Sequence, residues 1–334
     1  MKSIWKYLTT HVRQDFHATQ YLLIILFLIL SIGFNYQFDF NDRFLNTQTG
    51  FLKFFFRFLF FGVAYYAASF IINISKKELQ LFNRKAFWVR SILAITVLSL
   101  DSSLPFLGGL IESSLDPHLY LWAYKVGVNL ISFFTVFLPL FVFYFFFESS
   151  QKHLYGLRAT HVDLRPYFQM LLIMLPILLA ASLNSGFQRQ YPMYRTSSAH
   201  TYLEVSEWVT VAGYELAYGL DFITVELLFR GFMVIGMIGV LGRSAVLPMA
   251  VTYCFLHFGK PPGEAISSVV GGYILGVIAL ETRSIWGGII VHVGIAWMME
   301  TIAFLQEAFR PLTLILSIGL PEVLSGSIHK VVGI

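Results

Sequence analysis

Long apolar runs, broken at short intervals by clusters of charge, dominate this chain. They lie near 20–37, 51–74, 89–111, 118–147, 166–186, 205–238, 244–258, 264–280 and 285–305. An α-helix needs ~20 apolar residues to cross a bilayer core of ~30 Å, and most of these runs reach or approach that length. The pattern predicts an all-α, polytopic helical membrane protein with about 8–10 transmembrane helices. The run between Leu312 and Leu324 is short and contains Pro321, so it is expected to lie at the interface or to re-enter. Three regions follow. Residues 1–165 form about four N-terminal transmembrane helices of unassigned role, 166–310 form a transmembrane core, and 311–334 form an apolar tail. No small-residue cleavage site follows the first apolar run, which is read as a retained span.

Loop charges orient this parse. Lys2, Lys6 and Arg13 precede the first run; Lys76, Lys77, Arg84, Lys85 and Arg90 separate the second from the third; Lys152, Arg158 and Arg165 separate the fourth from the fifth. Arg243 and Arg283 fall on the same side. The alternate loops carry Asp39, Asp42, Glu112, Asp116, Glu204 and Glu207, with Arg189 and Arg195 among them. By the positive-inside tendency the N-terminus is cytoplasmic.

Composition adds a solvent. Only 13% of the residues are charged and 57% are hydrophobic, against about 25% charged in an average soluble domain, so lipid is the medium and the bilayer the first partner. The lone Cys254 excludes an intrachain disulfide and a four-thiolate metal site. A net charge of +4 with no basic tract argues against nucleic acid as a partner.

Ionisable residues inside the apolar runs are the candidates for chemistry, because each is costly in lipid. Asp101 and Lys125 are expected to form an ion pair between neighbouring helices, or Lys125 to snorkel, rather than to take part in catalysis. The C-terminal half holds a denser set. Glu215, Asp221, Glu226 and Arg230 lie in one run, His257 in VTYCFLHFGKPPGE, and His292 in SIWGGIIVHVGIAWMME with Glu300 two turns further on. Glu226 and Arg230 are four apart and share a helix face. Two chemistries stay open. Glu226, His257 and His292 are a candidate metal set, for zinc or another divalent ion, although no His-Glu-x-x-His pair is present. Alternatively no cofactor is needed: a carboxylate and an imidazole deprotonate water for attack on an amide, a second His stabilises the oxyanion, and Arg230 orients the carboxylate.

VELLFRG, YCFLH and SIWGGIIVHVGIA resemble the three motifs of the CAAX-protease and bacteriocin-processing (CPBP, or Abi) family of intramembrane endopeptidases. That pattern is Glu-Glu-x-x-x-Arg, then Phe-x-x-x-His, then His-x-x-x-Asn or a similar polar residue; the resemblance covers about residues 205–305. It implies a site within the bilayer that hydrolyses a peptide bond of a membrane-anchored protein or peptide. Glu226 matches the second Glu, Arg230 the Arg, His257 the water-activating His and His292 the oxyanion His, while Tyr253 replaces the usual Phe. Two positions depart: Val225 stands where the first Glu is expected and Ala296 where the Asn is expected, and each such loss typically costs about 10²–10⁴ in rate. Asp221 and Glu300, four residues away on the same faces, are the candidate replacements, which adds Asp221 to the catalytic set. The alternative functions are a catalytically impaired scaffold, immunity or partner-binding protein, and a proton-coupled transporter. The prokaryotic cytoplasmic membrane is the expected location. One geometric demand follows: at 1.5 Å per residue His257 lies roughly 20 Å and His292 roughly 10 Å from the cytoplasmic ends of their helices, so tilted or broken helices must bring them together.

Overall fold

The computed structural model describes residues 1–328, apart from 77–79, 105–106, 150–152, 158–162 and 196; for 310–328 it describes the backbone alone. Lys77, Lys152 and Arg158 among the loop charges therefore lie outside the described residues. The described chain is helical, with no strand among the described residues. The elements that matter for the site are α1 (Lys2–Asp15), α2 (Ala18–Phe38), α3 (Gly50–Lys76), α4 (Lys85–Asp101), α5 (Leu107–Ser114), α6 (Pro117–Glu148), α7 (Arg165–Ala181), α8 (Glu207–Glu226), α9 (Val246–Leu256), α10 (Pro262–Thr282) and α11 (Trp286–Ile328). Beyond Glu226, α8 continues as a π-helix over Leu227–Gly236.

Among the described residues, six helical stretches are long and apolar enough to cross a membrane: Ala18–Phe38, Gly50–Lys76, Pro117–Glu148, Glu207–Leu256, Pro262–Thr282 and Trp286–Phe309. The protein is a multi-pass membrane protein. The predicted runs at 89–111 and 166–186 correspond to α4 and α7, which have 17 residues each. Those at 205–238 and 244–258 share the stretch Glu207–Leu256, which turns at Gly242, a residue with φ of +58°.

The motif-bearing helices occupy the centre. All but the last residue of α9 is buried, so this helix is apolar on every side and needs neighbours all round. It packs between α3, α10 and the π-helical stretch, in a cluster that includes Phe61, Tyr65, Phe229, Phe232, Met249 and Phe255. Large apolar side chains of α2 (Leu22, Ile25, Leu26, Ile29) and of α6 (Phe145, Phe146, Phe147) are exposed, as lipid-facing positions should be.

Charges from distant segments meet near the ends of α1 and α3. Lys76 Nζ donates to Asp15 Oδ1 (2.5 Å) and to Ser244 Oγ (2.6 Å), and the neighbouring Arg243 pairs with Glu281. Lys76 and Arg243, which the loop charges place on one side, thus reach one cluster. The expected Asp101–Lys125 ion pair does not form. Asp101, at the end of α4, accepts a hydrogen bond from Thr135 (2.5 Å) in a π-helical turn of α6, whereas Lys125 donates to the Met193 carbonyl (3.1 Å).

Candidate active site

Glu226 is the last α-helical residue of α8, and the backbone widens into π geometry directly after it. Insertions of this kind are frequent at functional sites because they re-aim side chains without ending the helix. Glu226 is fully buried, and Arg230, also fully buried, brings Nη1 to 2.8 Å from Glu226 Oε1. This contact is an ion pair without hydrogen-bond alignment, so the guanidinium nitrogens and Glu226 Oε2 are left without hydrogen-bond partners. The second neighbour of Oε1 is His292 Nδ1 at 3.0 Å.

A carboxylate can only accept, so Nδ1 of His292 carries the proton shared with Glu226. In the neutral ring Nε2 is then the acceptor, and Tyr253 OH donates to it across 2.9 Å. Arg230 Cζ stands 4.3 Å from the centroid of the Tyr253 ring, and Phe222 packs on the His292 ring at 4.2 Å. Glu226, Arg230, Tyr253 and His292 therefore form one connected group drawn from α8 with its π-helical continuation, α9 and α11.

His257 joins this group through Tyr253. It is the first residue after α9, half-buried, and its Nδ1 lies 2.8 Å from the Tyr253 carbonyl oxygen. A carbonyl accepts only, so Nδ1 is protonated and Nε2 keeps its lone pair, with no donor hydrogen-bonded to it among the described residues. The depth difference between the two imidazoles is resolved here. Tyr253 and His292 each lie about 10 Å from the start of their helices at 1.5 Å per residue, and His257 is one turn, about 6 Å, beyond Tyr253. Tyr253, and not His257, is level with His292.

Two supports lie outside the motif residues. A Cβ built at Gly288 would fall on Glu226 Oε2 and 2.8 Å from its Cδ, so only glycine leaves room for this carboxylate. The turn after His257 is tied to α2: Asn35 Nδ2 donates to the Phe258 carbonyl (3.0 Å) and Tyr36 OH to the Lys260 carbonyl (2.7 Å). A Cβ at Gly259 would come within 2.7 Å of Asn41 Nδ2, so the segment following α2 also closes on this turn. In the sequence Tyr253 stands only as a replacement for the usual Phe, and the helix that becomes α2 has no assigned role. The hydroxyl four residues before His257 was the available signal for the first; nothing local marks the second.

The other expected site residues lie elsewhere. Asp221 interacts with Ser132, Thr224 and Asp101, on the side of α8 turned to α4 and α6. Glu300 accepts from the Met193 backbone N–H with both oxygens at 3.0 Å and sits beside Glu215. Val225 is half-buried against the main core, and Ala296 is packed among Tyr194, Tyr214, Tyr218 and Phe222. The structure brings neither Asp221 nor Glu300 to the Tyr253 group. Glu226, His257 and His292 are likewise not gathered into one set. Both nitrogens of His292 are engaged, and among the described residues no three His, Cys, Asp or Glu side chains gather to hold an ion.

Residues 205–298 match the model of the Rce1-like family, type II CAAX prenyl endopeptidases. This segment is CAAX-protease-like. It contains Glu226, Arg230, Tyr253, His257 and His292, and it leaves out Asn35, Tyr36 and Glu300. The match agrees with the resemblance carried by the three motifs and supports protease-type function within the membrane. No curated protein and no solved structure matches the chain.

Proposed function

We propose that this protein is an intramembrane endopeptidase that hydrolyses a peptide bond of a membrane-anchored protein or peptide by imidazole-activated water. The observation that carries this reading is the pair of histidines held in defined tautomers by Tyr253 and Glu226, inside the segment similar to CAAX endopeptidases. His257 Nε2, the free lone pair, accepts a proton from water as the water oxygen bonds to the scissile carbonyl carbon. The tetrahedral intermediate then collapses, the C–N bond breaks, and the proton passes from His257 to the leaving nitrogen. Glu226, paired with Arg230, anchors His292 at the far side of the site. The loop charges support a cytoplasmic N-terminus, and the resemblance to the CPBP family supports a place in the cytoplasmic membrane of a prokaryotic cell.

A second reading is favoured by Val225 and Ala296. Both side chains lack acid–base and hydrogen-bonding groups and are packed against apolar neighbours, as expected of a relative that binds a membrane peptide without cutting it. One experiment separates the two. The purified protein in nanodiscs is given a library of membrane-anchored peptides, with and without chelator, beside His257→Ala. Cleavage by the wild type that His257→Ala loses supports the peptidase; peptide capture without cleavage favours the binding protein. Loss of cleavage with chelator would overturn the metal-free mechanism.

A further inference from the structure

We propose that Tyr253 is a catalytic residue: its phenol O–H donates the hydrogen bond that stabilises the oxyanion formed at the scissile carbonyl. The inference rests on the peptidase reading above and deepens it.

Peptide hydrolysis needs a donor where negative charge develops on the carbonyl oxygen. The resemblance assigns that task to His292 and to a polar residue at 296. Neither fits it here. His292 Nδ1–H is committed to Glu226 at 3.0 Å, and Nε2 is an acceptor filled by Tyr253 at 2.9 Å. Ala296 has no donor and is 1% exposed among aromatic rings. The Tyr253 hydroxyl is the donor at the end of this chain.

Its surroundings suit the role. Arg230 lies over the ring face, 4.3 Å from the centroid, and a cation there polarises the phenol toward donation. Phe229 meets the ring edge-on at 5.0 Å and limits its movement. The Tyr253 backbone carbonyl fixes the tautomer of His257, the proposed base, and the two rings are 4.5 Å apart between centroids. Base and donor thus sit one turn apart, Tyr253 in α9 and His257 directly after it, and in this proposal they serve the attacking oxygen and the carbonyl oxygen of a single tetrahedral centre.

The step needs no outside proton. As water attacks, its proton goes to His257 Nε2. The Tyr253 O–H turns about its C–O bond from the neutral imidazole to the charged oxyanion, a stronger acceptor, and turns back when the C–N bond breaks. No bond to the phenolic hydrogen is broken.

The test uses the full chain in nanodiscs with a cleaved membrane-anchored peptide, and compares wild type, His257→Ala, Tyr253→Phe and proteins carrying fluorinated tyrosines at 253. Tyr253→Phe should lower kcat by about 10²–10³-fold, the effect of removing one oxyanion donor, with KM changed by less than about twofold. With fluorinated tyrosines, increasingly acidic phenols should move the alkaline limb of the kcat profile to lower pH, since a phenolate cannot donate. A merely structural tyrosine would not move that limb. Tyr253→Phe with wild-type kcat, or a limb that stays in place, overturns the inference while the peptidase reading stands. A wild type that cleaves no peptide, or a His257→Ala variant that cleaves as well as wild type, overturns the peptidase reading and this inference with it.

Discussion

Gly288→Ala should be among the most damaging single-methyl changes in this protein. The added Cβ would overlap Glu226 Oε2 and press on Cδ at 2.8 Å. Glu226 cannot retreat, because it is fully buried and its other oxygen is held by Arg230 at 2.8 Å and His292 at 3.0 Å. Overpacking a core typically costs about 1–3 kcal/mol. If the carboxylate is pushed off Arg230, the uncompensated buried charge raises the cost to about 3–5 kcal/mol. Gly271 is the control. It lies inside α10 with nothing within 4 Å of a built Cβ, so Gly271→Ala should be neutral or stabilising by about 0.4–1 kcal/mol through helix propensity and a less flexible unfolded chain. Both variants are compared with wild type by thermal unfolding in one detergent. At about 2–4 °C per kcal/mol, Gly288→Ala should lower Tm by roughly 5 °C or more while Gly271→Ala does not lower it. Equal Tm values for the two variants would refute the claim that Glu226 is held against Gly288.

Glu226→Gln should destabilise by about 3–5 kcal/mol because it leaves the Arg230 charge buried alone, whereas Glu226→Gln with Arg230→Met should recover much of that loss; additive effects in the unfolding cycle would show that the pair is not coupled. Asn35→Ala removes the donor to the Phe258 carbonyl and the acceptor for the Asn41 N–H (3.1 Å), so a loss of about 1–3 kcal/mol is expected, with faster amide exchange across 257–261; unchanged exchange there would mean that α2 does not hold the turn. His11 in α1 is fully buried, and burial lowers its pKa below the ordinary 6.5, an effect partly offset by Asp15. The folded state therefore takes up its proton at lower pH than the unfolded state, and the His11 contribution is present above about 6.5 and lost as pH falls below it. Tm should fall between pH 7.5 and 5.5 in wild type and fall less in His11→Asn; parallel slopes would remove His11 as the cause.

The helical class, the membrane and the motif residues are legible in the linear pattern because each depends on composition or on spacing along one helix. A run of apolar residues reports lipid whatever its neighbours are, and residues four apart share a face in any α-helix. Glu226 and Arg230 accordingly meet as their spacing requires. The same rule mislaid Asp221 and Glu300. Spacing puts them on the faces of Val225 and Ala296, but it does not say which helix those faces meet, and they turn to Ser132 and to the Met193 backbone instead.

Sequence alone thus determined a polytopic helical membrane protein and the residues able to carry its chemistry. Tertiary structure decided how they connect. It made Tyr253 the hub between the two imidazoles, left Gly288 as the space for a carboxylate, and set α2, outside the matched segment, as the clamp on the turn after His257. Apart from the bond between Tyr253 and His257, one turn apart, each of these is a contact between residues remote in sequence, governed by how helices pack and by which backbone groups remain unpaired at helix ends, and neither is written in the period of any single helix.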